Sequence, residues 1–366
     1  MKKINFYSGP AILPQEVLEQ AKEGITDFAG TGLSILEISH RSKEFVKVME
    51  DARALVRELM RLKDDREVLF LQGGGSSQFY MVPMNLLNEN ETAEYFDTGQ
   101  WASAAIEEAK NFGNVHVACS SKEEKYHHIP TKYSVSDSSK YLHITSNNTV
   151  YGTQFHWWPQ PKCPTVVDMS SDIFSREVDY NRFDLIYAGA QKNMGAAGTT
   201  LVVVNKNLLG TVNRKIPKML DYRAHIKGAS MVNTPSAFSV YVSYLTLQWI
   251  KKQGIQAIEE RNNRKAGKLY AAIDASSLFK GTVAYEDRSL MNVCFNIPST
   301  TLPTEGGANT NLLEDKFIAF AAGYGIVGIK GYRTVGGFRA SIYNAMPESG
   351  VDTLIEAMKE FEKSQV

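Results

Sequence analysis

The chain has 366 residues, 43% hydrophobic and 22% charged, which is the make-up of a globular protein with one sizeable α/β unit and a smaller one. Its 40 basic and 40 acidic residues cancel, which excludes bulk attraction to nucleic acid or an anionic membrane. Any anionic ligand must therefore be met by local arginines.

Three cysteines, Cys119, Cys163 and Cys294, lack CxxC spacing, which argues against a disulfide framework or a zinc site and for a reducing cytoplasm. "MKKINFYSGPAILP" has no apolar stretch of the signal-peptide kind, and no run is long enough to span a bilayer.

In chain order, "QEVLEQAKEGI" has helical apolar spacing with Pro14 at its start, and "KEFVKVMEDARALVRELMRL" is a long amphipathic helix. "EVLFLQ" reads as a strand and "SSQFYMVPMNLL" as a helix that Pro83 should bend or restart. "TAEYFDTG", "WASAAIEEAKNF" and "NVHVACSS" follow as strand, helix and strand. "KYLHITSNNTV", "PTVVDMSSD", "DLIYAGA" and "TTLVVV" add four β-type runs. Such alternation predicts a mainly parallel sheet covered on both faces.

From "AFSVYVSYLTLQWIKKQG" through "IQAIEERNNRKAGKLYAAIDASS" the pattern is nearly continuous helix, a bridge between two units. Beyond it "MNVCFNI", "LEDKFIAFAAGYG", "FRASIYN" and "GVDTLIEAMKEFEKS" predict a small α/β unit. The polar run "PSTTLPTEGGANTN" reads as a loop within it.

In parallel sheets, ligands sit at the carboxyl ends of strands. "LFLQGGGSSQF" places three glycines and two serines between a strand and a helix start, a cradle for one phosphate. It is neither a Walker A nor a GxGxxG motif, and taken alone a tight glycine turn explains it as well. Trp101 follows "DTGQ", where it could cover a flat ring or simply pack a helix start. Asp168 closes "PTVV" and could hold a protonated ring nitrogen, with Asp172 as rival for that role. Lys192, in "YAGAQKNMGAAG", stands among small apolar residues, and desolvation there would lower its pKa and make it a usable amine nucleophile. A phosphate cradle, an aromatic cover, a carboxylate and a lysine, all after strands of one sheet, are the parts needed to hold pyridoxal phosphate.

The segments "FYSGPAILP", "EISHRSKEF", "GGGSSQF", "DTGQWA", "YAGAQKNMGAAG", "VNTPSAF" and "GYRTVGGFRASIYNAMP" together resemble the phosphoserine aminotransferase family, fold-type-I class-V enzymes, over essentially the whole length. The resemblance implies a large domain, 16–260, with a mainly parallel seven-stranded sheet flanked by helices. It also implies a small α/β domain formed by 1–15 and 261–366. It implies that Lys192 forms the internal aldimine of a ping-pong reaction, Asp168 pairs with the pyridine nitrogen, Trp101 stacks on the ring and Thr149 donates to its phenolic oxygen. Gly75, Ser76 and Gln191 would hold the cofactor phosphate, joined by Asn233 and Thr234 of a second subunit in a homodimer. Arg339 would grip the substrate α-carboxylate, and His40, Arg41 and Arg333 of the partner would take the distal phosphate or carboxylate.

Two positions depart from the family pattern: Tyr332 where the best-studied bacterial relatives carry histidine, and Ser76 where some carry arginine. The reaction implied converts 3-phosphohydroxypyruvate and L-glutamate to O-phospho-L-serine and 2-oxoglutarate in serine biosynthesis, with phosphohydroxythreonine of pyridoxine biosynthesis as a further substrate. Small-molecule substrates, no nucleic acid, no membrane and no metal complete the expectation. The competing readings are an alanine–glyoxylate aminotransferase, a cysteine desulfurase, which needs a reactive cysteine on a mobile loop, and a nucleotide-binding module.

Overall fold

The computed structural model describes residues 3–298 and 312–365, so the expected loop falls, from Ser299 to Asn311, outside the described residues. Strand β1 (Ile4–Asn5) is followed by helices α1 (Gln15–Thr26) and α2 (Lys43–Leu59). Ser42 caps α2 by accepting from Phe45 N at 3.3 Å, which satisfies one of the donors a helix start leaves open. Phe45, Val48, Met49, Ala52 and Val56, spaced by three and four, give α2 one buried stripe.

Next come β2 (Arg66–Leu71), α3 (Gly74–Leu86), β3 (Thr92–Asp97), α4 (Gln100–Ala109) and β4 (Asn114–Ser120). Of the bend or restart that the sequence predicts at Pro83, the restart does not occur, and α3 is continuous through it. Pro83 lies in the last turn, one backbone donor is forgone, and the helix closes with Leu87 N donating to Pro83 O at 2.9 Å. Strands β5 (Leu142–Thr145), β6 (Thr165–Asp168), β7 (Leu185–Gly189) and β8 (Thr200–Asn205) complete a seven-stranded sheet ordered β2-β8-β7-β6-β5-β3-β4. All its neighbours are parallel except at β8, which runs against both β7 and β2.

The period of two along each strand divides the side chains between two layers. Val167, Ile186 and Val203 pack with Phe45, Met49 and Leu247 on one face; Val166, Leu185 and Val202 pack with Val82 and Ile106 on the other. Strands β5, β6 and β7 are buried throughout, as expected of central parallel strands, while β4 is an exposed edge.

After the short helix α5 (Tyr222–Lys227), helices α6 (Ala237–Gln253) and α7 (Ile255–Ala275) are separated by Gly254. Ile258 of α7 joins the core of the large sheet, whereas Leu269 and Ile273, further along the same helix, enter a second core. Strands β9 (Lys280–Gly281), β10 (Asn292–Asn296) and β12 (Phe338–Ser341) form an antiparallel sheet ordered β12-β10-β9. Helices α8 (Leu312–Gly323) and α9 (Glu348–Lys363) cover it. Strand β11 (Ile326–Val327) pairs in parallel with β1, which ties the N-terminal segment to this part of the molecule. Phe279, Phe295, Phe317 and Phe338 fill the second core. Among the described residues, no helix is long and apolar enough to cross a membrane.

Candidate active site

Strands β2, β3, β5, β6 and β7 point their carboxyl ends at one edge of the sheet, and a cavity of about 180 Å³ opens there. After β2 the chain turns through Gly73 at φ 94°, a conformation glycine adopts without strain, and enters α3 with Gly75 and Ser76 in the cavity wall. The first-turn N–H groups of a helix have no intrahelical partners, so this wall presents donors and a positive dipole end. A Cβ at position 75 would lie 3.2 Å from Ser170 Oγ, so glycine lets the wall pack closely there.

After β3, Asp97 Oδ1 accepts from Ser103 Oγ at 2.6 Å, which pins the first turn of α4 and places half-buried Trp101 on the cavity. Asp168 ends β6. Its carboxylate is buried and accepts from Ser170 N at 2.8 Å. Burial raises its pKa, with the Lys192 charge and the Ser170 hydrogen bond opposing.

Its rival Asp172 is committed elsewhere. Ser146 donates a short hydrogen bond to Oδ1, and Gln154 Nε2 (3.0 Å) and Arg176 Nη2 (3.4 Å) hold Oδ2. Asp172 does not line the cavity; Asp168 does.

Lys192 follows β7, and its surroundings are more polar than the run of alanines and glycines suggests. Nζ donates to Thr149 Oγ1 and Ser171 Oγ, both at 2.8 Å, and those two hydroxyls are themselves hydrogen-bonded. Burial lowers its pKa to about 8, with Arg339 acting in the same sense and Asp168 against it. Gln191 lines the same wall, and the N-terminal segment is laid over it, Ala11 N donating to Gln191 O at 2.8 Å. Arg339 of β12 reaches in from the second core. Its Nη2 donates to Ser8 Oγ at 2.8 Å and its Nη1 to Thr149 O at 3.3 Å, while buried Nε has no partner.

Thus Gly75, Ser76, Trp101, Thr149, Asp168, Gln191, Lys192 and Arg339 come together, as does Tyr332, one of the two departures. The remaining candidates do not line this cavity. Arg41 and Arg333 are exposed, and half-buried His40 lines a separate groove with Thr234, beside Asn233. Ser8, Ser170 and Ser171 escaped the sequence reading. The "DMSSD" run carried a signal only for its aspartates, because serines at a strand end have many structural uses.

None of the cysteines suits a nucleophile. Burial pushes Cys294 and half-buried Cys119 each up to about 12, and raises buried Cys163.

The aminotransferase class-V family model matches residues 4–354. The chain belongs to the class-V aminotransferase family. Within that family it is 56% identical over 364 residues to phosphoserine aminotransferase of Flavobacterium psychrophilum, covering 99% of both chains. It is 53% identical to that of Parabacteroides distasonis, again over 99% of both. Among solved structures, phosphoserine aminotransferase of Bacillus circulans subsp. alkalophilus superposes with a TM-score of 0.94 at 41% identity, covering 100% of this chain and 99% of that one. The pyridoxal-phosphate-bound enzyme of Trichomonas vaginalis gives 0.91 at 33% identity, covering 98% and 100%. This aminotransferase is therefore a pyridoxal-phosphate enzyme. The cavity suits that group: it offers a helix N-terminus for a phosphate, a buried carboxylate for a ring N–H, an aromatic wall and an amine of lowered pKa.

Proposed function

We propose that the protein is a phosphoserine aminotransferase, converting 3-phosphohydroxypyruvate and L-glutamate to O-phospho-L-serine and 2-oxoglutarate. The observation that carries the reading is the convergence of Lys192, Asp168 and Arg339 on one cavity of a chain 56% identical to such enzymes. Bound pyridoxal phosphate supplies an amine-reactive carbonyl and an electron sink for charge developing at the substrate Cα.

The chain's own residues do the rest. A pKa near 8 leaves part of Lys192 unprotonated at neutral pH, so Nζ can take the proton from the substrate Cα and return it. Thr149 and Ser171 hold Nζ between transfers. Asp168 accepts the ring N–H, and a cation there compensates the burial that otherwise raises its pKa. The α3 N-terminus with Ser76, and Gln191, take the cofactor phosphate; Trp101 covers the ring and limits water. Arg339 has its free Nε and planar fork for the α-carboxylate.

The same reading includes a homodimer. His40, Arg41, Asn233, Thr234 and Arg333 lie off their own chain's cavity, and they would serve the partner's, binding the distal phosphate or carboxylate and the cofactor phosphate. It also includes a division near residue 260 into a large and a small domain, a cytoplasmic location, and use of phosphohydroxythreonine in pyridoxine biosynthesis. Tyr332 and Ser76 keep hydroxyl donors on the cavity wall, compatible with anionic ligands.

The test is direct. Purified protein given pyridoxal phosphate should develop a visible absorption band that Lys192→Ala abolishes, and borohydride should fix the cofactor to Lys192. Phosphoserine should outpace alanine as amino donor to 2-oxoglutarate; equal rates would overturn the substrate assignment, and failure to take up the cofactor would overturn the reading altogether.

A further inference from the structure

Lys265, on α7, has no part in the chemistry above, yet it is fully buried. Its Nζ donates to three backbone carbonyls of one short segment: Ile342 O and Tyr343 O at 2.8 Å and Met346 O at 3.2 Å. An ammonium has three N–H donors for those three acceptors, whereas a neutral amine would turn a lone pair toward a carbonyl oxygen. Burial works in the opposite sense and lowers the pKa to about 7.

The gripped segment joins β12 to α9, and two lines of hydrogen bonds run from it to the cavity. Along the first, Tyr343 Oη donates to Ser8 O at 2.8 Å, and Ser8 Oγ accepts from Arg339 Nη2. Along the second, Asn344 N donates to Asn193 Oδ1 at 3.0 Å, and Asn193 Nδ2 donates to Ser171 O at 3.2 Å. Ser171 Oγ in turn accepts from Lys192 Nζ. Asn262, one turn before Lys265 on the same face of α7, grips the segment as well. Its Nδ2 donates to Asn344 Oδ1 and to Ser175 O, both at 2.9 Å. Every side chain in the second line is buried apart from half-buried Lys192. A methionine would fill the space of Lys265 but hold none of the three carbonyls.

We infer that Lys265 is a positioning residue, whose grip on segment 342–346 fixes Ser171 and Asn193 against Lys192 and Ser8 against Arg339. The inference rests on the reading of Lys192 as the lysine that carries the cofactor.

Lys265→Met tests it, with Lys268→Met as control: Lys268 lies on the same helix but makes exposed ion pairs to Asp352 and Glu348. In cofactor-free protein, amide hydrogen exchange should become about tenfold faster or more in K265M, both in peptides covering 342–346 and in those covering 190–195. In the cofactor-loaded protein, the pH midpoint of the visible absorption band should move by about half a unit or more. K268M should match the wild type in both.

A folded K265M whose faster exchange stops at 342–346, with an unmoved midpoint, would reduce Lys265 to local packing and overturn the inference. Should K265M not fold, Asn193→Ala removes the side chain that joins Asn344 N to Ser171 O while leaving the three carbonyls in place. It should give the same two changes, and wild-type behaviour in it would equally overturn the inference. A failure of the Lys192 reading shows separately, as wild-type protein in which borohydride fixes no cofactor to Lys192, since the exchange measurement needs no cofactor.

Discussion

Lys192 at the carboxyl edge of the large sheet and Lys265 beneath the second core are both held away from bulk water, and burial lowers the pKa of each. What surrounds them differs. Lys192 is half-buried, its accessible surface on the cavity, and its Nζ meets two hydroxyls, Thr149 and Ser171. A hydroxyl can accept from an ammonium or donate to an amine, so this pair suits both protonation states. Lys265 has no accessible surface and meets only carbonyl oxygens, which accept and never donate. Burial by itself therefore does not make a lysine a nucleophile. Partners able to follow a change of protonation state, and an open side for the reacting group, are also required.

The largest effect that sharpens this contrast is expected from Lys192→Ala. Turnover of phosphoserine should fall by about 10³-fold or more, and borohydride should attach no cofactor, because both the anchor and the proton carrier are lost. K265M should keep covalent attachment; a K192A protein that still fixes cofactor at another lysine, Lys265 included, would break the comparison.

Asp168→Asn should lower kcat by about 10²-fold while cofactor remains attached to Lys192, because the ring N–H loses its ionised partner but the amine is untouched. Steady-state kinetics beside the absorption spectrum separates the two effects, and an unaltered kcat would remove Asp168 from the mechanism.

A smaller effect concerns pH. The folded-state pKa of Lys192, about 8, lies below the ordinary 10.5, so between these values the unfolded chain binds a proton that the folded chain does not. Stability of the cofactor-free protein should therefore gain from Lys192 as pH rises through that window, by up to about 1.4 kcal/mol per pH unit, and the cost of burying it is felt in full below pH 8. Urea unfolding at several pH values, wild type against Lys192→Met, isolates this contribution as the difference between the two slopes. Equal slopes would mean that Lys192 is charged in the folded protein across the window.

The smallest effect supplies a baseline. Ser42→Ala removes the cap of α2, which makes no hydrogen bond to either lysine, and should cost about 1 kcal/mol of stability without moving the absorption band or its pH midpoint. If that variant shifted the midpoint, loss of stability alone would account for spectral changes in K265M.

Local chemistry written in short segments was legible in the sequence. Alternating and continuous apolar runs foretold the strands of the large sheet, apolar spacing and Pro14 foretold the long helices, and the glycines after β2 and Lys192 after β7, singled out in the sequence, do meet at one cavity, since each signal depends on neighbours within a few residues. Pro83 shows the limit, because whether a proline breaks a helix depends on how many turns remain, and here the helix ends within the same turn.

Which of Asp168 and Asp172 faces the cavity needed the fold: besides its near neighbour Arg176, Ser146 and Gln154 from an earlier segment claim Asp172. So did the opposed direction of β8, set by pairing with β2 and β7. The contrast between the two lysines needed it most. In sequence, Lys265 sits on an amphipathic helix like any solvated lysine, and only the return of residues 342–346 across α7 encloses it. A side chain's partners are set by which distant segments pack against it, and sequence spacing carries no record of that until the chain has folded.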